Sequence, residues 1–129
     1  FKIFSKLGAK NINVDIILQS VGRNGTKDIS FTVSMAHLKE TLDLLTPYVE
    51  VIGADSVVYD ENVAKVSIVG AGMESHPGVA AEMFEALYEA NINIRMIATS
   101  EIKISVLINK SDADRAVLAI HNKFFTPSL

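Results

Sequence analysis

The side chains of this chain that could do chemistry fall into three sets. The first is written twice: Asn11-Ile12-Asn13-Val14-Asp15-Ile16-Ile17 recurs as Asn91-Ile92-Asn93-Ile94-Arg95-Met96-Ile97. Asn13 and Asn93 fall in strand-like stretches and offer amide donors and acceptors together. Asn11 and Asn91 suit helix termination, because Asn tolerates left-handed backbone. The block carries a carboxylate, Asp15, where its second copy carries the guanidinium of Arg95. The second set is the loop Gly70-Ala71-Gly72-Met73-Glu74-Ser75-His76-Pro77-Gly78. A strand meets a helix N-terminus there, and the exposed N–H groups and positive dipole end favour a small anion such as a carboxylate. A tight turn that packs glycines under a helix explains the same residues. The third set is His37, His76 and His121, which lie dozens of residues apart without an i, i+4 partner. Zinc ligation is not expected of them, and His37 and His121 read as helix-surface residues.

Other chemistries lack their residues. The chain has no cysteine, hence no thiolate metal site and no thiol nucleophile. The glycines do not form G-x-G-x-x-G, no G-K-[ST] occurs, and no serine sits in G-x-S-x-G. A net charge of −3 argues against a nucleic-acid footprint. With 49% hydrophobic residues and a mean hydropathy of +0.28, the 129 residues can bury a sizeable core. No apolar run approaches the roughly 18 residues of a membrane span. The opening Phe1-Lys2-Ile3-Phe4 resembles neither a signal peptide nor a natural start, and the chain is expected to be part of something longer. No catalytic constellation, metal or cofactor is expected.

The elements that must position these residues follow from the repeat. An offset of 80 aligns the asparagine blocks, and also Phe4 with Phe84 and Leu7 with Leu87. An offset of 73 aligns Asp28-Ile29-Ser30-Phe31-Thr32-Val33 with Glu101-Ile102-Lys103-Ile104-Ser105-Val106, so the first copy has seven extra residues in its hairpin. In the second copy Val63–Val69 reads as a strand running into the glycine turn, and Pro77-Gly78 opens a helix with Val79, Met83, Phe84 and Leu87 on one stripe. Strands over 92–98 and 102–108 follow, and Ser111 and Asp114 suit the start of a last helix. The first copy reads as helix 1–8, strands 13–20 and 28–35, helix 37–46 and strand 55–59. The expectation is α+β: two ferredoxin-like βαββαβ units in tandem, with antiparallel sheets and helices on one face. Residues 1–60 form the first and lack its first strand; residues 61–129 form the second, with its last strand missing or truncated.

Val66-Ser67-Ile68-Val69-Gly70-Ala71-Gly72-Met73, Ser75-His76-Pro77-Gly78, Asn91-Ile92-Asn93-Ile94 and Thr99-Ser100-Glu101-Ile102-Lys103-Ile104-Ser105-Val106 together resemble the C-terminal regulatory region of aspartate kinases. That region consists of two ACT domains, and the similarity runs through nearly the whole chain. Thr99-Ser100-Glu101 is characteristic of aspartate kinases among ACT proteins, and Asn13-Val14-Asp15-Ile16-Ile17-Leu18-Gln19 resembles the matching strand. The family's kinase domain has no counterpart in these residues. The resemblance implies a cytoplasmic regulatory region that binds lysine, threonine or both for feedback control of aspartate phosphorylation. It implies a homodimer built by ACT–ACT pairing, next to a kinase catalytic domain or subunit. One implied effector site sets Asp15 and Gln19 against Asn93 and Ile94; a second uses Met73, Glu74, His76, Thr99, Ser100 and Glu101 with Asn13 and Val14. Arg95, standing where the first copy has Asp15, would repel a cationic ligand and makes the two copies unequal.

Three other readings compete. A ligand-free ACT-type dimerisation module explains the fold and leaves Asp15, Gln19 and Asn93 without a role. RNA-recognition modules share the topology but need strand aromatics and a basic face, and Phe31 is the one aromatic in the four middle strands. An enzyme on the same duplicated scaffold lacks an acid/base pair.

Overall fold

A computed structural model describes residues 1–21, 27–54, 56–70, 78–100 and 102–125. The chain forms two compact units, Phe1–Tyr59 and Asp60–Leu129. Both combine antiparallel strands with helices in an α+β plan.

In the first unit, helix α1 (Lys2–Ala9) leads to the hairpin of β1 (Ile17–Val21) and β2 (Lys27–Phe31), then to α2 (Leu38–Leu45). The core gathers Leu7, Ile12, Ile16 and Leu45, with Phe4 edge-on to Phe31 at 5.6 Å. Thr41 is buried too, and its hydroxyl donates to the His37 carbonyl at 2.7 Å. The segment after α2 ends in a turn at Gly53, whose φ of 74° suits glycine.

The second unit has the order β3 (Val63–Val69), α3 (Val79–Glu89), β4 (Met96–Thr99), β5 (Lys103–Asn109) and α4 (Ala113–Phe125). Its sheet runs β3-β5-β4, all neighbours antiparallel. Alternation along the strands sends Val66, Ile104, Val106 and Ile108 into one cluster with Met83, Ala86 and Leu87 of α3 and Ala116 and Ile120 of α4. Lys123 ties the two helices from outside, 2.9 Å from the Glu85 carboxylate.

Both asparagine blocks end a helix by the same hydrogen-bond pattern. After α1, Asn11 N–H donates to Gly8 O (3.0 Å) and Ile12 N–H to Leu7 O (3.0 Å); after α3, Asn91 N–H donates to Tyr88 O (3.0 Å) and Ile92 N–H to Leu87 O (2.9 Å). This is the Schellman arrangement, in which the left-handed residue lets the chain turn back onto the last carbonyls. The residue after the cap and the helical residue whose carbonyl it bonds are both apolar and buried: Ile12 with Leu7, and Ile92 with Leu87.

Two expectations from the sequence need correcting. Residues 56–59 are not a strand among the described residues, and Val58 is 88% exposed. A strand needs a neighbouring edge to bond, and the β-branched Val57-Val58 pair cannot provide one by propensity alone. The pairing register also revises the repeat: Ile17 faces Phe31 and Ile97 faces Val106, so the second strands match at an offset of 75, not 73. The first hairpin is therefore longer by five residues. Phe124 and Phe125 complete α4, and residues 126–129 lie outside the described ones.

Candidate functional site

Asp15 is presented by a backbone pinned from the partner strand. Its N–H donates to Thr32 O (3.0 Å), Ile16 N–H donates to Thr32 Oγ1 (2.9 Å), and Thr32 N–H returns to Ile16 O (3.0 Å). The two-residue period of extended chain then puts Asp15, Ile17 and Gln19 on one side and buries Ile16 on the other. All three side chains on the outer side are exposed. Asp15 and Gln19 are four residues apart, about 13 Å between Cα atoms at ~3.3 Å per residue. Asn13 is exposed and Val14 half-buried, just before this stretch.

The second unit repeats the burial sequence. Asn93 is exposed, Ile94 half-buried and Arg95 exposed, after the buried Ile92. Arg95 N–H donates to Leu107 O at 2.8 Å, the counterpart of the Asp15–Thr32 bond. Its guanidinium reaches Asp60, with Nη1 2.8 Å from Oδ2. That bond holds the Asp60 carboxyl below its ordinary range, helped by the Asn62 N–H on Oδ1 at 2.8 Å. Arg95 is thus an ion-paired cation and not an isolated one.

Thr99 and Ser100 stand at the opposite end of β4 from Asn93 and Ile94. Ser100 N–H donates to Lys103 O (2.7 Å), closing the β4–β5 turn, and Gly70 N–H donates to Ile102 O (2.8 Å). The start of the glycine loop and the Thr99-Ser100 turn are therefore both anchored at the beginning of β5. Met73, Glu74, His76 and Glu101, expected to share that end, lie outside the described residues. An open depression elsewhere on this unit is lined by Asp60, Asn62, Asn109, Lys110 and Ser111, none of them an expected site residue. Among the described residues no group of His, Asp and Glu could hold a metal ion, and no helix is long and apolar enough to cross a membrane.

Two contributors escaped the sequence reading. Thr32 enters the repeat only as an aligned residue, though a Thr facing the approach to a strand can bond backbone through its hydroxyl. Asp60 falls at the expected boundary between units, where the Asp-x-Asn spelling at 60–62 signals a turn.

Residues 66–124 match the family model described as an ACT domain. The crystal structure of the regulatory subunit of aspartate kinase from Thermus thermophilus, in ligand-free form, superposes with a TM-score of 0.85 at 41% identity, covering 95% of this chain and 81% of that one. The chain belongs to the aspartokinase family. A structure of aspartokinase alpha and beta subunits gives a TM-score of 0.86 at 46% identity, over 95% of this chain and 80% of that one. The aspartokinase of Helicobacter pylori is 52% identical over 120 residues, which are 93% of this chain and 29% of that protein. This chain thus spans under a third of the length of the curated aspartokinases it matches. A more distant aspartokinase, aspartokinase III of E. coli in complex with lysine and aspartate, shares 27% identity and a TM-score of 0.68, over 96% of this chain and 27% of that one.

Proposed function

We propose that this chain is the effector-sensing region of an aspartate kinase, made of two ACT domains, and that it binds lysine, threonine or both to exert feedback control. The observation that carries the reading is the exposed Asp15–Gln19 face of a strand whose backbone Thr32 pins, in a chain of the aspartokinase family. A carboxylate suits the ligand ammonium, a carboxamide suits a hydroxyl or a second polar end, and extended backbone suits the zwitterion. Their Cα spacing of about 13 Å leaves the two side chains free to meet different polar groups of one ligand. Asn93 and Ile94 contribute the complementary half, and Thr99, Ser100, Glu101, Met73, Glu74 and His76 with Asn13 and Val14 form the second, related site.

The lysine complex of aspartokinase III supports lysine as one effector, and the alpha and beta subunit structure supports a catalytic partner. The parent's reaction is ATP-dependent phosphorylation of aspartate, performed outside this chain. Titration calorimetry of lysine and threonine against the protein tests the reading. Saturable binding of either one is expected; no heat from either, in a folded sample, overturns it.

A further inference from the structure

The two units hold corresponding backbone by different means. In the first, Thr32 supplies a hydroxyl that bonds Ile16 N–H beside Asp15. At the offset of 75 the residue matching Thr32 is Leu107, which has no hydroxyl to offer. Leu107 keeps the main-chain bond to Arg95 N–H and lacks the second one. What the second unit has in its place is the Asp60–Arg95 ion pair.

The topology explains how that pair spans the sheet. Strands β3 and β4 flank β5 on opposite sides and both run against it, so the residues just before each begin at one end. Asp60 precedes β3 and Arg95 precedes β4; two strand spacings, about 9.6 Å, separate these edges. The Arg side chain closes that gap to 2.8 Å. Asp60 is aimed by the Asn62 N–H on its other oxygen, and Asn62 O in turn accepts from Lys110 N–H at 2.8 Å, beyond the end of β5. The Asn93-Ile94 segment is therefore bracketed. Below it Ile92 is buried and bonded to Leu87 O; above it Arg95 is fixed to β5 and to the far edge strand.

We propose that Asp60 and Arg95 are positioning residues, a clasp across the sheet that holds Asn93 and Ile94 in ligand-ready geometry. The ligand part of this inference rests on the effector reading above; the ordering part does not. The side chains are 38% and 44% exposed, so the clasp orders a segment and contributes little to global stability.

Amide exchange read by mass spectrometry on the unliganded protein tests the clasp directly. Arg95→Ala and Asp60→Asn should each speed exchange over 93–97 by about two- to fivefold, while α3 amides keep their protection. Asp60→Asn retains the oxygen that accepts from Asn62, so it separates the ion pair from the turn. Arg95→Lys should recover most of the protection, because it keeps the charge. Unchanged exchange over 93–97 in both disruptive variants overturns the clasp. Calorimetry with lysine and with threonine completes the test: where the native protein binds either one, both disruptive variants should weaken it by a similar two- to fivefold and Arg95→Lys should not. Altered exchange with unaltered affinity overturns the positioning role. A native protein that binds neither amino acid refutes the effector reading and with it the positioning role, and the exchange data still decide the clasp.

Discussion

Asn11 and Asn91 stand 80 positions apart and adopt the same left-handed backbone, with φ of 58° and 59°. Each is followed by an isoleucine that folds back under the helix just ended. The duplication is thus a repeated mechanical joint within one chain, in which a helix stops and a strand is launched with its buried side already chosen.

The joint predicts a stability pattern. Asn91→Ala places a Cβ-bearing residue without a local side-chain bond in left-handed geometry and should cost about 1–2 kcal/mol. Asn91→Gly should be neutral within about 0.5 kcal/mol, since glycine takes that geometry without strain. Urea denaturation checks the pair, and an Ala variant as stable as the Gly variant would contradict the cap.

Effector affinity should depend on Asp15. A charge-assisted bond to the ligand ammonium is worth roughly 1.5–3 kcal/mol. Asp15→Ala should therefore weaken lysine or threonine binding by about tenfold to a hundredfold, measured by calorimetry, with the melting curve little moved. In the parent kinase the same change should raise the effector concentration needed for half-inhibition. Unchanged affinity would remove Asp15 from the site.

The α3–α4 brace should show in alkali. Glu85 accepts a hydrogen bond from Lys123, which raises the lysine above its ordinary 10.5 and lowers Glu85. The pair's contribution is complete below 10.5 and is lost as pH rises through the folded value of Lys123. Lys123→Gln should flatten that alkaline limb of stability. Asp60 works in the reverse sense: its carboxyl is lowered by Arg95, so its contribution is complete above 3.8 and is lost as pH falls through its folded value. For so exposed a pair that part of the acid limb is small, and Arg95→Ala should remove it. Melting temperature against pH reads both.

Association should be visible in solution. The first unit's described sheet has two strands, and Ile17, Leu18 and Ile29 are exposed on it. A two-stranded sheet is marginal by itself, and open edges are normally covered. Light scattering at tens of micromolar should report a dimer, and a strict monomer would refute the ACT–ACT pairing into a homodimer that the family resemblance implies.

The sequence made the helices legible because each carries an apolar stripe and, in two cases, an asparagine stop. It made β3 and β5 legible because their runs are long, β-branched and bounded. It also separated Asn11 and Asn91, which terminate helices, from Asn13 and Asn93, which are exposed beyond the turn. It could not distinguish the offset of 73 from 75, because a slip of two residues leaves every side chain on its own face. Nor could it pair Arg95 with Asp60, 35 positions away, since strand order sets that contact and local spacing does not. The strand expected at 55–59 shows the same limit: propensity marks residues that tolerate an edge, and topology decides whether one is present.

The hydroxyls of Ser67 and Ser105, directly opposed on β3 and β5 and 2.7 Å apart, fix the register of that strand pair chemically against a two-residue slip of the same kind. A slip by two would set Ser67 against Lys103 or Leu107 and leave Ser105, 2% exposed, without its hydroxyl partner. Stranding a buried hydroxyl costs about 1–3 kcal/mol. Hydrophobic alternation treats the two alignments as equals, so this one polar contact works as an index mark between the strands. Replacing both serines with alanine would leave the core face intact and make the shifted pairing a closer competitor.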